Sequence, residues 1–162
     1  MMSLGDTRGR LAEFIERGGV YRDIQGSTPL EVLTALVACL PPSPSIRTEK
    51  LLEAMLEREA LMSTGIGDGI AIPHPRNPIV KADLEQFAVL AFLKNPVDWN
   101  SPDGVKVDTL LLIVSSSAKQ HLHTLGEIAF FCRQEDFSKL LRERASGEEL
   151  LRFIREAEVN WK

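Results

Sequence analysis

The chain has 162 residues, 44% of them hydrophobic and 26% charged, which is enough apolar material for one substantial core and too little length for two. Lys and Arg number 19 against 23 Asp and Glu, a formal net charge of −4, so no overall basic field draws the chain to nucleic acid. No basic-then-apolar leader opens it and its apolar runs fall far short of the roughly 20 residues of a membrane span, which predicts neither membrane insertion nor direct nucleic-acid binding. Cys39 and Cys132 follow apolar residues and lack a CxxC spacing; they read as small core hydrophobes in a reducing cytoplasm, with no disulfide framework and no metal pair.

Residues 1–24 mix charge, glycine and short apolar pieces and read as an N-terminal extension, with a helical turn over 11–15 and a brief strand starting at Val20-Tyr21. A domain over 25–157 follows, then a tail over 158–162 that holds Trp161. Thr28-Pro29-Leu30-Glu31 supplies an N-cap, a proline at the first helical position and a reciprocal glutamate. The helix it starts carries Leu30, Leu33, Val37 and Leu40 at helical spacing and stops at Pro41-Pro42, where the backbone donors run out. A second helix spans about Arg47 to Leu61, with Leu51, Leu52, Met55, Leu56 and Leu61 as its apolar face. Arg58 sits near its C-terminal end, where the helix dipole favours a cation.

That helix delivers the chain into a glycine-dense turn. Gly65, Gly67 and Gly69 permit close backbone approach and tight turns, Ile70-Ala71-Ile72 reads as a short buried strand, and Pro73 and Pro75 stiffen the backbone on either side of His74. Pro75-Arg76-Asn77-Pro78 is a rigid loop, and Ile79-Val80 reads as a small edge segment. The apolar runs 87–93 and 109–114 have strand length and the continuity of strands buried on both faces; they are expected to be neighbouring central strands, joined through a turn-rich 96–104 stretch with its tight turn at Asp103-Gly104. Ser117 and Gln120 have capping-box spacing ahead of a helix from His121 to about Arg133, so the positive helix end lies close to His121. Leu122, Leu125, Ile128 and Ala129 are its expected core stripe. Helices over about 134–144 and 147–157 complete an α/β sandwich.

The residue types alone leave two readings of His74: a reactive group, whose ordinary pKa near 6.5 keeps much of it neutral and nucleophilic, or a structural loop histidine. A phosphoryl group on such a ring needs donors; Arg58 offers a rigid fork and His121 a place at a helix start. His123, two residues on from His121, points in another direction on the helix and reads as a rim histidine, and the three histidines lack a fourth partner for zinc. Gly65-Ile66-Gly67-Asp68-Gly69 lacks the lysine of a P-loop and opens no helix, so no nucleotide cofactor is expected. Asp68 reads mainly as a turn residue, and Glu85, Asp98 and Asp108 show no hydrolase-like pairing. Arg76 reads either as a phosphate or partner contact or as a solvated loop cation.

The run from Arg58 to His74, REALMSTGIGDGIAIPH, closely resembles the signature of the fructose/mannitol/nitrogen-regulatory type of enzyme IIA of the bacterial phosphoenolpyruvate-dependent phosphotransferase system. The run from His121 to Ala129, HLHTLGEIA, resembles the same family's second histidine region, and the resemblance extends over roughly residues 25–157. It implies a mixed β-sheet flanked by helices, with His74 accepting a phosphoryl group on Nε2 from a phosphohistidine carrier protein, and with Arg58 and His121 at positions that stabilise the phosphate. Without an attached permease or carrier domain, the chain resembles the standalone nitrogen-regulatory branch, whose further partners are regulatory target proteins. Pro75 departs from the pattern, which commonly has a small residue there; it removes an amide donor beside the histidine. That departure sets up the rival expectation, a regulatory interaction module that keeps the fold without phosphotransfer.

Overall fold

A computed structural model describes residues 8–41 and 43–160 of the chain; the tail residue Trp161 lies outside them. Its centre is the antiparallel pair β4 (Phe87–Val97) and β5 (Val107–Val114), in register from Phe87 opposite Val114 to Phe92 opposite Thr109. Successive side chains of a strand point to opposite faces, and both faces are apolar here. Val89, Ala91 and Leu93 of β4 and Leu110, Leu112 and Val114 of β5 enter one core, while Ala88, Leu90, Phe92, Leu111 and Ile113 enter the other. The two runs therefore need cover on both sides, as their composition predicts.

The full sheet has five strands in the order β1-β4-β5-β3-β2. β1 (Val20–Ile24) joins β4 in parallel, β3 (Ile70–Ala71) joins β5 in parallel, and β2 (Gly65–Gly67) closes the other edge antiparallel to β3. Helices α2 (Pro29–Cys39) and α3 (Thr48–Leu61) cover the first face through Val32, Leu33, Leu36, Val37, Leu51 and Met55. Helices α1 (Leu11–Gly18), α4 (Ala118–Cys132), α5 (Glu135–Arg142) and α6 (Gly147–Glu158) cover the second. The architecture is the α/β fold with a mixed, helix-flanked sheet.

Several local expectations shift. The described part of the N-terminal segment is no appendage: α1 buries Leu11, Phe14 and Ile15 in the second core, and β1 is a sheet strand. Gly18 explains how closely α1 can lie on β4, since a Cβ there would stand 1.9 Å from the Ala88 carbonyl oxygen. Ile79-Val80 forms no strand, although Val80 is buried. The stripes of three helices are rotated from the spacing read off the sequence: Leu30, Leu61 and Leu122 are 55%, 60% and 67% exposed, and Cys39 is exposed as well. In α4 the buried positions are Thr124, Glu127, Ile128 and Phe131. A periodicity alone fixes only that a stripe exists; neighbouring elements decide which of the adjacent residues face inward.

The first turn of α1 is satisfied from a distance. Glu127 of α4 accepts the Arg10 and Leu11 amides at 2.9 and 3.1 Å, and Glu158 of α6 accepts the Ala12 amide at 2.9 Å, so carboxylates from two helices supply what a local N-cap would. Glu127 is buried. Burial first, and then the hydrogen bond with Glu158, raise its pKa to about 8. A carboxyl that binds its proton more tightly folded than unfolded contributes stability that is lost as pH rises from its ordinary value near 4.5 through 8. Replacing Glu127 with Gln keeps an acceptor for α1 and a donor for Glu158, so thermal melts of E127Q should flatten that alkaline decline. E127A leaves buried amides unpaired and should lower the unfolding free energy by about 2 kcal/mol in urea titrations.

Candidate functional site

Two parallel strands bring the chemistry together. β3 runs beside β5 with Ile70 opposite Thr109 and Ala71 opposite Leu110, and the pairing continues past the strand, where the Ile113 amide donates to the Pro73 carbonyl at 3.1 Å. Both strands therefore end on the same side of the sheet, one leading into His74 and the other through Ser115 to α4. Ligand sites of α/β sheets lie outside such carboxyl ends. Ser117 caps α4, its hydroxyl accepting the Gln120 amide at 3.1 Å. The reciprocal half of the expected box is absent, for the Gln120 side-chain oxygen is buried without a partner among the described residues. α4 begins at Ala118, three residues ahead of the expected start, which puts His121 within its first turns.

The approach to His74 is built from the other side by α3. Arg58 donates from Nη1 to the Met62 carbonyl at 2.7 Å, satisfying a free carbonyl at the helix end. Glu59 accepts both the amide and the hydroxyl of Thr64, at 2.7 and 2.6 Å; the Trp99 indole donates to the Thr64 hydroxyl at 3.2 Å, and the Ile72 amide to the Thr64 carbonyl at 2.9 Å. Between β2 and β3 lies a two-residue turn, Asp68-Gly69, with φ of 55° and 81°, the backbone that an Asp-Gly pair adopts most easily in a tight hairpin. Asp68 is thus a turn residue. Nothing in the sequence marks Glu59, Thr64 or Trp99; their spacing carries no pattern, because each finds its partner only through the fold.

His74 is half-buried, with Nδ1 2.8 Å from the Ile72 carbonyl oxygen. A carbonyl only accepts, so Nδ1 carries the proton and Nε2 is left as the unprotonated, nucleophilic nitrogen. The His121 ring lies beside it with centroids 4.5 Å apart and planes inclined by 46°. Both rings line one cavity of about 260 Å³, together with Pro75, Arg76, Asn77, Pro78, Ile113, Ser115 and Ala118. Burial lowers the pKa of His74 and the Arg58 charge lowers it further, against the pull of the Ile72 carbonyl and Glu59. His121 is lowered to about 4, by burial first, then by His74 and Arg58. Both rings are therefore neutral near pH 7, and Arg58 acts on both. His123 instead donates to the Arg8 carbonyl at 3.0 Å and is not among the residues that line the cavity.

The arrangement offers a neutral imidazole nucleophile, a second imidazole against it and two guanidinium groups at hand, one of which, Arg76, the cavity includes. Buried Gln86 stiffens the β5–α4 connection, its side-chain oxygen accepting the Ser116 amide at 2.9 Å; nothing in the sequence marked it.

Comparison with known proteins identifies the family to which this fold belongs. A family model described as phosphoenolpyruvate-dependent sugar phosphotransferase system, EIIA 2, matches residues 13–157. The nitrogen regulatory protein of Klebsiella oxytoca is 35% identical over 133 residues, 81% of this chain and 79% of that protein. The protein of the same name from Escherichia coli K12 is 36% identical over 134 residues, 80% and 77% of the two chains. Nitrogen regulatory protein IIA-Ntr from Neisseria meningitidis, a crystal structure, shares the fold with a TM-score of 0.72 at 26% identity, over 83% of this chain and 92% of that one. Among the described residues no helix is long and apolar enough to cross a membrane. A family model spanning most of the chain, and relatives of this identity over most of both lengths, establish that the chain belongs to the EIIA type 2 family of the phosphoenolpyruvate-dependent sugar phosphotransferase system.

Proposed function

We propose that this protein is a cytoplasmic phosphoryl carrier and regulator that accepts a phosphoryl group on Nε2 of His74 from a phosphohistidine carrier protein. The observation that carries the reading is the bond between Nδ1–H of His74 and the Ile72 carbonyl, which fixes the tautomer and leaves Nε2 to attack. In the transfer, the Nε2 lone pair forms a bond to phosphorus while the donor ring's N–P bond breaks, its electron pair returning to the donor nitrogen. The donor ring, protonated on its other nitrogen, leaves as neutral imidazole. The His74 ring keeps its Nδ1 proton, becomes cationic beside the new phosphate, and holds the Ile72 carbonyl through a charge-assisted bond. Little covalent work falls to the surroundings, so positioning and charge stabilisation dominate. Arg58 and His121 serve there, the first as a fixed positive charge and the second as a hydrogen-bond donor to a phosphate oxygen.

The names of the relatives support a regulatory role and the family description a role in phosphotransfer, and the cavity of His74 lies at the end of the sheet where a protein donor and then an acceptor or regulatory target can reach it. Pro75 favours the rival reading of a non-phosphorylated interaction module, because it contributes no amide to the phosphate. Incubation with phosphoenolpyruvate and a reconstituted donor chain, followed by intact mass measurement at neutral pH, decides between them. A gain of one acid-labile phosphoryl group is expected, abolished in H74A; no gain with any cognate donor supports the rival.

The supporting residues make separate predictions. R58A and H121A should each label roughly 100-fold more slowly, the usual loss for one transition-state donor, with circular dichroism unchanged. In NMR titrations the His74 midpoint should fall below the ordinary value of a histidine and His121 should titrate near 4. A phosphate dianion beside His121 favours its charged form, so phosphorylation should raise its pKa by roughly one unit or more. An unmoved His121 pKa in the phosphorylated protein would remove it from the phosphate site.

A further inference from the structure

Arg76 has no part in the scheme above, yet among the described residues it is the cation that lines the cavity shared by His74 and His121. Its Nη1 donates to Oε1 of Glu57 on α3 at 3.2 Å, with the two side chains 51% and 57% exposed. A long, single-contact pair in water is a weak one and gives way to a better partner. Arg58, by comparison, already spends a guanidinium donor on the Met62 carbonyl at the end of α3.

Three features prepare Arg76 for a phosphate. It follows His74 by two residues in a segment bounded by Pro75 and Pro78, whose fixed φ angles limit where its backbone can go. Pro75, which is buried, supplies no N–H beside the histidine, so the phosphate oxygens lack one main-chain donor and another group must provide it. The guanidinium offers a planar fork matched to two phosphate oxygens, whereas it meets Glu57 through one contact. A phosphoryl group carries nearly two negative charges against the single charge of a carboxylate.

We propose that Arg76 is the residue that clamps the phosphoryl group on His74, that Glu57 is its resting counter-ion, and that phosphorylation moves the guanidinium from Glu57 to the phosphate. The exchange leaves the Glu57 carboxylate unpaired on the exposed side of α3, so the phosphorylated surface gains an acidic spot several residues from the modified ring. No covalent bond changes in this step; one ion pair replaces another. The inference rests on His74 being the phosphoryl acceptor. It also gives Pro75 a consequence, since the donor that proline removes is replaced from the loop it stiffens.

The test compares labelling rate and lifetime of the acid-labile phosphoryl group in the full chain for wild type, E57Q, R76Q, R76K and the E57Q/R76Q double variant. R76Q should label at least tenfold more slowly and lose its phosphate faster, R76K should fall between R76Q and wild type, and E57Q should label as fast as wild type or faster because its arginine is already released. The double variant should match R76Q. An ion pair that merely braces the loop would make E57Q and R76Q equally slow, and that result, or wild-type rates in R76Q, overturns the proposal while leaving the carrier reading standing. Absence of label on the wild type removes both.

Discussion

The parallel pairing of β3 with β5 is the constraint on which the site depends. β3 is two residues long, too short to hold a position by itself, and it is anchored because its neighbour is one of the two strands buried on both faces. The amides of Asp108 and Thr109 reach back to the Gly69 carbonyl at 2.9 and 3.1 Å, and that of Ile113 to Pro73 at 3.1 Å. Contacts before and after the strand thus fix the register, and a register error in a sheet turns every side chain to the wrong face. His74 inherits its place from that ladder, and His121 inherits its own from the same strand through the Ser117 cap.

Electrostatics around the two rings follow from this convergence. Imidazoles held side by side and partly out of water favour their neutral forms, and the Arg58 charge adds to that preference. The same desolvation that keeps them neutral keeps His74 nucleophilic. A group whose pKa is lowered in the fold contributes stability that is lost as pH falls below its ordinary value. The histidines therefore weaken the protein on the acid side while Glu127 weakens it on the alkaline side.

Glu127 and His121 share α4, six residues apart, and give that helix two unrelated duties. Toward one end it presents an imidazole to the cavity; further along it secures the start of α1. The α1 segment lies across β4, with Gly18 against the Ala88 backbone, so the N-terminal part of the chain helps hold the sheet that carries His74. Stability and site geometry are coupled through one helix.

The sequence by itself determined the elements whose signals are local. The N-cap at Thr28, the strands at 87–93 and 109–114, the turn at Asp103-Gly104, where the Gly104 amide donates to the Ser101 carbonyl, and the stiff backbone around His74 follow from turn chemistry, capping and unbroken apolar runs, and the stretch from Arg58 to His74 was specific enough to point to a family. Only the tertiary structure decided which residues of each amphipathic helix face inward, as the exposure of Leu30, Leu61 and Leu122 shows. It also decided that α1 and β1 belong to the core, and it assigned partners to Glu59, Thr64, Trp99, Gln86 and Arg76. These depend on contacts between positions as much as 146 residues apart, as between Ala12 and Glu158, and such contacts leave no period in the chain. A spacing along the sequence records the geometry of one element, whereas the convergence of His74 and His121 is a property of two strands that meet only once the sheet has formed.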